Sequence, residues 1–135
     1  MSHCTVLVVG DDLETLLAPF NENTEVEPYI EGNVWTTYNP QSQWDWYKVG
    51  GRWPGHLPLT GGRVADTALW GDVDAARLTP TFAILLNGEW IEKGKMGWWA
   101  MVSDEKSDDE WAETFHRVAA TIDPAQRVTI VDAHI

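Results

Sequence analysis

The chain has 135 residues, 44% of them hydrophobic and 22% charged, which suits one globular domain at about 100–200 residues per domain and excludes intrinsic disorder. Nine Lys and Arg against 21 Asp and Glu leave a formal charge of −12, so the basic face that nucleic-acid binding needs is missing. No apolar run approaches the ~20 residues of a membrane helix and the opening MSHCTVLVVGDD has no basic leader segment, so the expectation is a cytoplasmic protein with no membrane partner.

The two ends of the chain are the most legible. Cys4 to Val9 is a β-branched apolar run stopped by Gly10, which predicts a buried strand. Asp11 and Asp12 then cap a helix whose apolar residues Leu13, Leu16, Leu17 and Phe20 fall on one face, closed by Pro19 and Asn21. Acidic residues 22, 25, 27 and 31 mark a solvated loop over 23–33. Val34 to Tyr38 is a strand candidate ended by Asn39-Pro40, and Arg63 to Leu78 holds a weak helical stretch without a clean period. Phe82 to Leu86 and Glu89 to Glu92 flank Asn87-Gly88, the strongest short signal for a hairpin. Gly97 to Val102 reads as a further strand. Ser107 and Glu110 form a capping box for a helix carrying Trp111, Phe115, Val118, Ala119 and Ile122, and Val128 to Val131 predicts the last strand.

This order predicts one α+β domain over residues 1–135, in a ferredoxin-like βαββαβ arrangement. It would have an antiparallel sheet, both helices on one face, an extra hairpin, and residues 22–80 as an irregular Trp-rich insert. The other sheet face would need covering, either by the Trp segment or by a homodimer or homotrimer contact.

The segment WDWYKVGGRW, residues 44–53, is similar to a motif, roughly NPxSKWDWYxxGGRW, of proteins from actinobacterial phages and some bacteria. The resemblance extends to MSHCTVLVVGDD, to 65–74, to Glu92–Trp99 and to Val131–Ile135, and so covers most of the chain. It implies phage or prophage origin and a shared fold, and it brings no catalytic residue with it.

The chemistry of the residues themselves points to two places. Trp44, Trp46, Tyr47 and Trp53 offer flat faces for a base or another ring, beside Arg52 as a planar fork for phosphate or carboxylate. Gly50 and Gly51 would let backbone amides approach the same ligand. The structural alternative makes the indoles a second small core, with Arg52 paired to Asp45 or another acid. The second place is the chain ends: if the first and last strands are antiparallel neighbours, His3 and His134 face each other and Asp132 shares the parity of His134. Such a trio suits acid–base work or, more weakly, a divalent metal; the plain alternative is a pair of exposed terminal histidines. His56 is a loop residue that a ligand could touch, and His116 sits at the surface of the second helix.

Cys4 is the single cysteine, which rules out an internal disulfide and a Cys-rich zinc site. There is no phosphate-loop, dinucleotide, nucleophile-elbow or CxxC motif, and no cofactor is expected. Three classes stay open. They are a binding protein for a nucleotide-like small molecule that sequesters a host metabolite or defence signal, a small lyase or hydrolase acting on such a ligand, and an acidic inhibitor of a host defence protein.

Overall fold

The computed structural model describes residues 2–96, 102–103 and 105–135. In chain order the elements are β1 (His3–Val9), α1 (Leu13–Leu17), β2 (Tyr29–Glu31), β3 (Val34–Thr36), β4 (Trp46–Val49), β5 (Leu57–Pro58), β6 (Val64–Ala65) and β7 (Thr67–Leu69). They continue with β8 (Ala83–Leu86), β9 (Glu89–Glu92), β10 (Lys95–Met96), β11 (Val102–Ser103), α2 (Asp108–Ala119) and β12 (Arg127–His134). Short 3-10 turns follow α1 and β7. The strand expected over Gly97–Val102 lies outside the described residues except for its last position.

One mixed sheet organises the molecule, in the order β4-β12-β1-β8-β9. β12 is antiparallel to β1, with His3 opposite His134 and Val9 opposite Val128. The outer edge of β12 carries β4 along residues 131–134 and β7 along 127–129. β8 and β9 form the expected hairpin, and Asn87 (φ 53°) and Gly88 (φ 78°) hold the two left-handed turn positions.

The fold is α+β, but its topology departs from the ferredoxin-like expectation. There, the second strand of the hairpin would lie antiparallel to β1. Here the first strand, β8, takes that place and runs parallel to β1, Val6 opposite Ala83. A parallel pair needs a long crossover, and α1 with the segment after it supplies one.

The helices also lie on opposite faces rather than on one. Val6 and Val8 pack in one cluster with Leu17, Phe20 and Trp44, whereas Leu7 and Val9 pack in another with Trp111, Phe115 and Ala119. Successive strand residues point to opposite faces, so α1 covers one side and α2 the other. This explains why β1 reads as an unbroken apolar run rather than an alternating one: it is buried on both faces. Trp44 and Tyr47 help cover the α1 side, so the Trp segment lies on a helix-covered face and not on the helix-free face it was expected to cap. With both faces clothed, the argument for a dimer or trimer through an open sheet face loses its premise.

Nor is the middle of the chain a peripheral insert. It donates β4 and β7 to the sheet and places Leu57, Trp70, Val73 and Leu78 in the α2-side core, where each such side chain contributes about 1.5–3 kcal/mol. The weak helical stretch resolves into β6, β7 and two 3-10 turns, and the acidic loop contains β2, paired with β3.

Both helices have the expected N-cap residue, although of the capping box only the Ser107 half is seen among the described residues. Asp12 accepts hydrogen bonds from the amide and the hydroxyl of Thr15, and Ser107 Oγ accepts from the Glu110 amide at 3.2 Å. Trp111 on α2 is locked from the side by its indole N–H, which donates to the Thr81 carbonyl at 2.7 Å.

Candidate functional site

The ends of β1 and β12 bring four chemical side chains together. His3 and His134 are directly paired in the ladder, and their rings meet edge to face with centroids 4.8 Å apart. Each imidazole has its own carboxylate. His3 Nδ1 lies 2.7 Å from Asp132 Oδ1, and His134 Nδ1 lies 2.8 Å from Asp45 Oδ1. Both histidine side chains are mostly buried, at 16% and 13% exposure, and Asp132 is nearly closed off at 3%.

The sheet pattern explains this convergence. Asp132 and His134 are two apart on β12 and therefore share a face, and His3, opposite His134, shares it too. On β4, Trp46 pairs with His134 and Lys48 pairs with Asp132. Trp46 is half exposed and its ring stands edge-on to His134 at 6.3 Å, and Lys48 is exposed. An open cavity of about 490 Å³ lies over the pair, lined by His3, Asn23, Asp45, Trp46 and His134.

Chemically, the arrangement is two Asp–His dyads side by side. A carboxylate on Nδ1 fixes the ring orientation and, in the neutral imidazole, the tautomer that leaves Nε2 as the open nitrogen. Among the described residues, no hydrogen bond occupies either Nε2. The trio His3, His134 and Asp132 does not converge on one point, because His134 turns to Asp45. No group of three or more His, Cys, Asp or Glu among the described residues is placed to hold a metal ion.

The Trp-rich motif is dispersed rather than gathered into one platform. Trp44 is buried on the α1 side, its indole N–H donating to the Leu17 carbonyl at 2.9 Å and its ring crossed by Tyr47. Trp46 points to the opposite face, beside the histidines. Trp53 packs against the α2-side core, and Arg52 is exposed. Asp45, weighed as the partner of Arg52, serves His134 instead.

The double glycine admits an anion, as its composition suggests, but the anion is the protein's own. The Arg52 amide donates to Asp132 Oδ2 at 3.1 Å, and a Cβ on Gly51 (φ +53°) would overlap that carboxylate. Gly50 (φ +73°) leaves room in the same way for Asp66, whose Oδ1 accepts from the Gly55 amide at 2.7 Å. The turn thus clamps Asp132, which in turn holds His3. His56 is engaged elsewhere, 2.9 Å from the Thr79 carbonyl, and His116 is exposed against Phe115. Cys4 points to the other side of the sheet; burial, with the nearby charges of Glu92 and Asp132, pushes its thiol up to about 12.

Asp45, Asn23 and Lys48 are the site residues that the sequence reading did not place there. Lys48 had a signal, since it shares the parity of Trp46 on a strand. Asp45 had none, because its partner is 89 residues away. No helix among the described residues is long and apolar enough to cross a membrane. No protein-family model, curated protein or solved structure matches the chain.

Proposed function

We propose that the chain is a small acid–base catalyst acting on a nucleotide-like phosphoester at the His3–His134 pair. The observation that carries this reading is the pair itself: two touching imidazoles, each oriented by a separate carboxylate, under an open cavity. One imidazole accepts the proton of an attacking hydroxyl or water as its oxygen bonds to phosphorus. The other, as imidazolium, donates a proton to the leaving oxygen as its bond to phosphorus breaks. The pair ends with one proton still bound, on the other ring.

Trp46 offers an exposed ring for a base to stack on, and Lys48 and Arg52 are exposed cations on the neighbouring backbone. A chain of charge −12 repels a long polyanion, so the ligand is a small one with few phosphates. In the phage setting that the motif suggests, such a ligand would be a host metabolite or a defence signal.

The test is turnover of 2′,3′-cyclic nucleotides, a dinucleoside phosphate and bis(p-nitrophenyl) phosphate by the purified chain. His3→Gln and His134→Gln should each lower kcat by about 10²–10⁴-fold, the usual worth of a positioned acid or base, with the thermal midpoint held within a few degrees. Turnover unchanged in both variants overturns the reading. Binding of nucleotides without turnover, lost in Trp46→Ala, would leave a binding protein, the reading that the exposed indole alone favours.

A further inference from the structure

Among the described residues, a group of exposed apolar side chains lies on the β2–β3 hairpin. Ile30, Val34 and Trp35 are 59%, 68% and 68% exposed, and not one residue from Tyr29 to Tyr38 is buried. Ile30 and Trp35 are direct cross-strand partners and share one face, while Val34 lies on the other. The hairpin forms its own two-stranded sheet, outside the main one. Among the described residues, its hydrogen bonds beyond the pairing itself are local: the Val26 amide to the Thr37 carbonyl, the Tyr29 hydroxyl to the Tyr38 carbonyl and the Tyr38 amide to Thr36 Oγ1. An isolated two-stranded hairpin is marginal in water, because neither face is covered. The Trp, Ile and Val displayed on it belong to neither of the two buried clusters of the fold.

The stretch of chain that carries the patch has charge of one sign. No Lys or Arg occurs from Asn21 to Tyr47, and Glu22, Glu25, Glu27, Glu31 and Asp45 leave that stretch at −5. A second copy of this chain, itself at −12, meets the patch with repulsion, and so does an anionic membrane or a nucleic acid. The complementary surface is positive and carries an apolar recess.

We propose that the β2–β3 hairpin is a docking arm for a protein partner whose surface is basic around an apolar pocket, with Trp35 as the anchor. An exposed Trp entering a desolvated pocket, ringed by charge pairs at the rim, is the usual composition of an interface hot spot. The partner then supplies the cover that the hairpin lacks. This rests on the hairpin alone and is independent of the chemistry at the histidines.

The test is selection of a displayed random-peptide library on the full chain, with binding of recovered peptides then measured against three variants. Trp35→Ser removes the anchor. The pair E27K/E31K inverts rim charge and leaves the apolar side chains in place, so it keeps the question open should the first variant disturb the hairpin. Ser in place of the exposed Val49 is the control, on a different element. The expected peptides are net basic with an aromatic or aliphatic anchor. They should lose at least about tenfold in affinity to Trp35→Ser and to E27K/E31K, weaken as salt rises towards about 0.5 M, and bind Val49→Ser unchanged. Recovery of neutral or acidic peptides, affinity indifferent to both hairpin variants, or no selectable binder would each overturn the proposal. So would a dimer in sedimentation that Trp35→Ser dissolves, which would make a second copy the occupant.

Discussion

Asp132 Oδ1 meets His3 Nδ1 at 2.7 Å although 129 residues separate them, and the other oxygen of the same carboxylate accepts the Arg52 amide at 3.1 Å. A nearly closed carboxylate therefore ties three distant pieces of chain together: the start of β1, the end of β12 and the glycine turn. Asp132→Ala removes both acceptors at once. The Arg52 amide then loses its partner in a part-buried position, which should cost about 1–3 kcal/mol. Asp132→Asn keeps an oxygen for that amide and should cost less. Urea denaturation of the two variants checks the order, and an unchanged midpoint for Asp132→Ala would show that the carboxylate holds nothing.

Gly51 is the second member of that clamp. Its φ of +53° disfavours any side chain, and a methyl group there would also overlap Asp132. Gly32 has a similar φ, +63°, with nothing within 4 Å of its would-be Cβ. Alanine at Gly32 thus measures the backbone strain alone, about 1–2 kcal/mol, and the excess at Gly51 measures the clash. Gly51→Ala should be the more destabilising of the two and should depress turnover by displacing Asp132 from His3. Equal midpoints for the two variants would mean that the carboxylate moves aside at no cost.

The parts of this fold that could be read in advance are those set by local rules. The Asn87-Gly88 turn, the Ser107 cap, the apolar face of α2 and the burial of β1 each follow from a few adjacent residues. The ladder between His3 and His134 followed from placing first and last strands together, a conclusion that survives the change of topology. What could not be read was set by long-range competition. Which hairpin strand docks beside β1 depends on the crossover. The side of the sheet that each helix covers depends on β1 being apolar at every position, a pattern equally compatible with one helix layer and an oligomer contact. The Trp motif misleads for a related reason. A strand sends Trp46 and Tyr47 to opposite faces, so richness in aromatics along the chain does not make one aromatic surface.

Cys4 gives a prediction that depends on burial rather than on the site. Its thiol is pushed up to about 12, first by burial and then by the charges of Glu92 and Asp132. At pH 8 the native protein should resist iodoacetamide, since the thiolate is the reactive form, and unfolding in urea should restore rapid labelling. The sign for stability follows from the same shift. The unfolded thiol loses its proton at lower pH than the folded one, so stability falls as pH rises above the ordinary thiol range towards about 12. Fast labelling of the folded chain would place Cys4 at an open surface.

Arg52 separates the role of its backbone from that of its side chain. The amide is committed to Asp132, while the guanidinium is exposed and makes no hydrogen bond or ion pair with the described residues. Removing only the side chain should therefore leave stability within about 0.5 kcal/mol, as for most surface substitutions. Its expected work is on the ligand, as a planar fork for a phosphate brought beside the histidines. Arg52→Ala should then raise KM for a phosphodiester substrate with little change in kcat, because a group that contacts ground state and transition state alike gives uniform binding. Arg52→Lys should recover part of the loss, since an ammonium keeps the charge but not the bidentate geometry. Lys48→Ala is the comparison that assigns the phosphate contact. If it raises KM while Arg52→Ala does not, the cation that matters is the one beside Trp46 on β4. If Arg52→Ala instead lowers the thermal midpoint by several degrees, the side chain belongs to the fold, and the glycine turn is structural throughout.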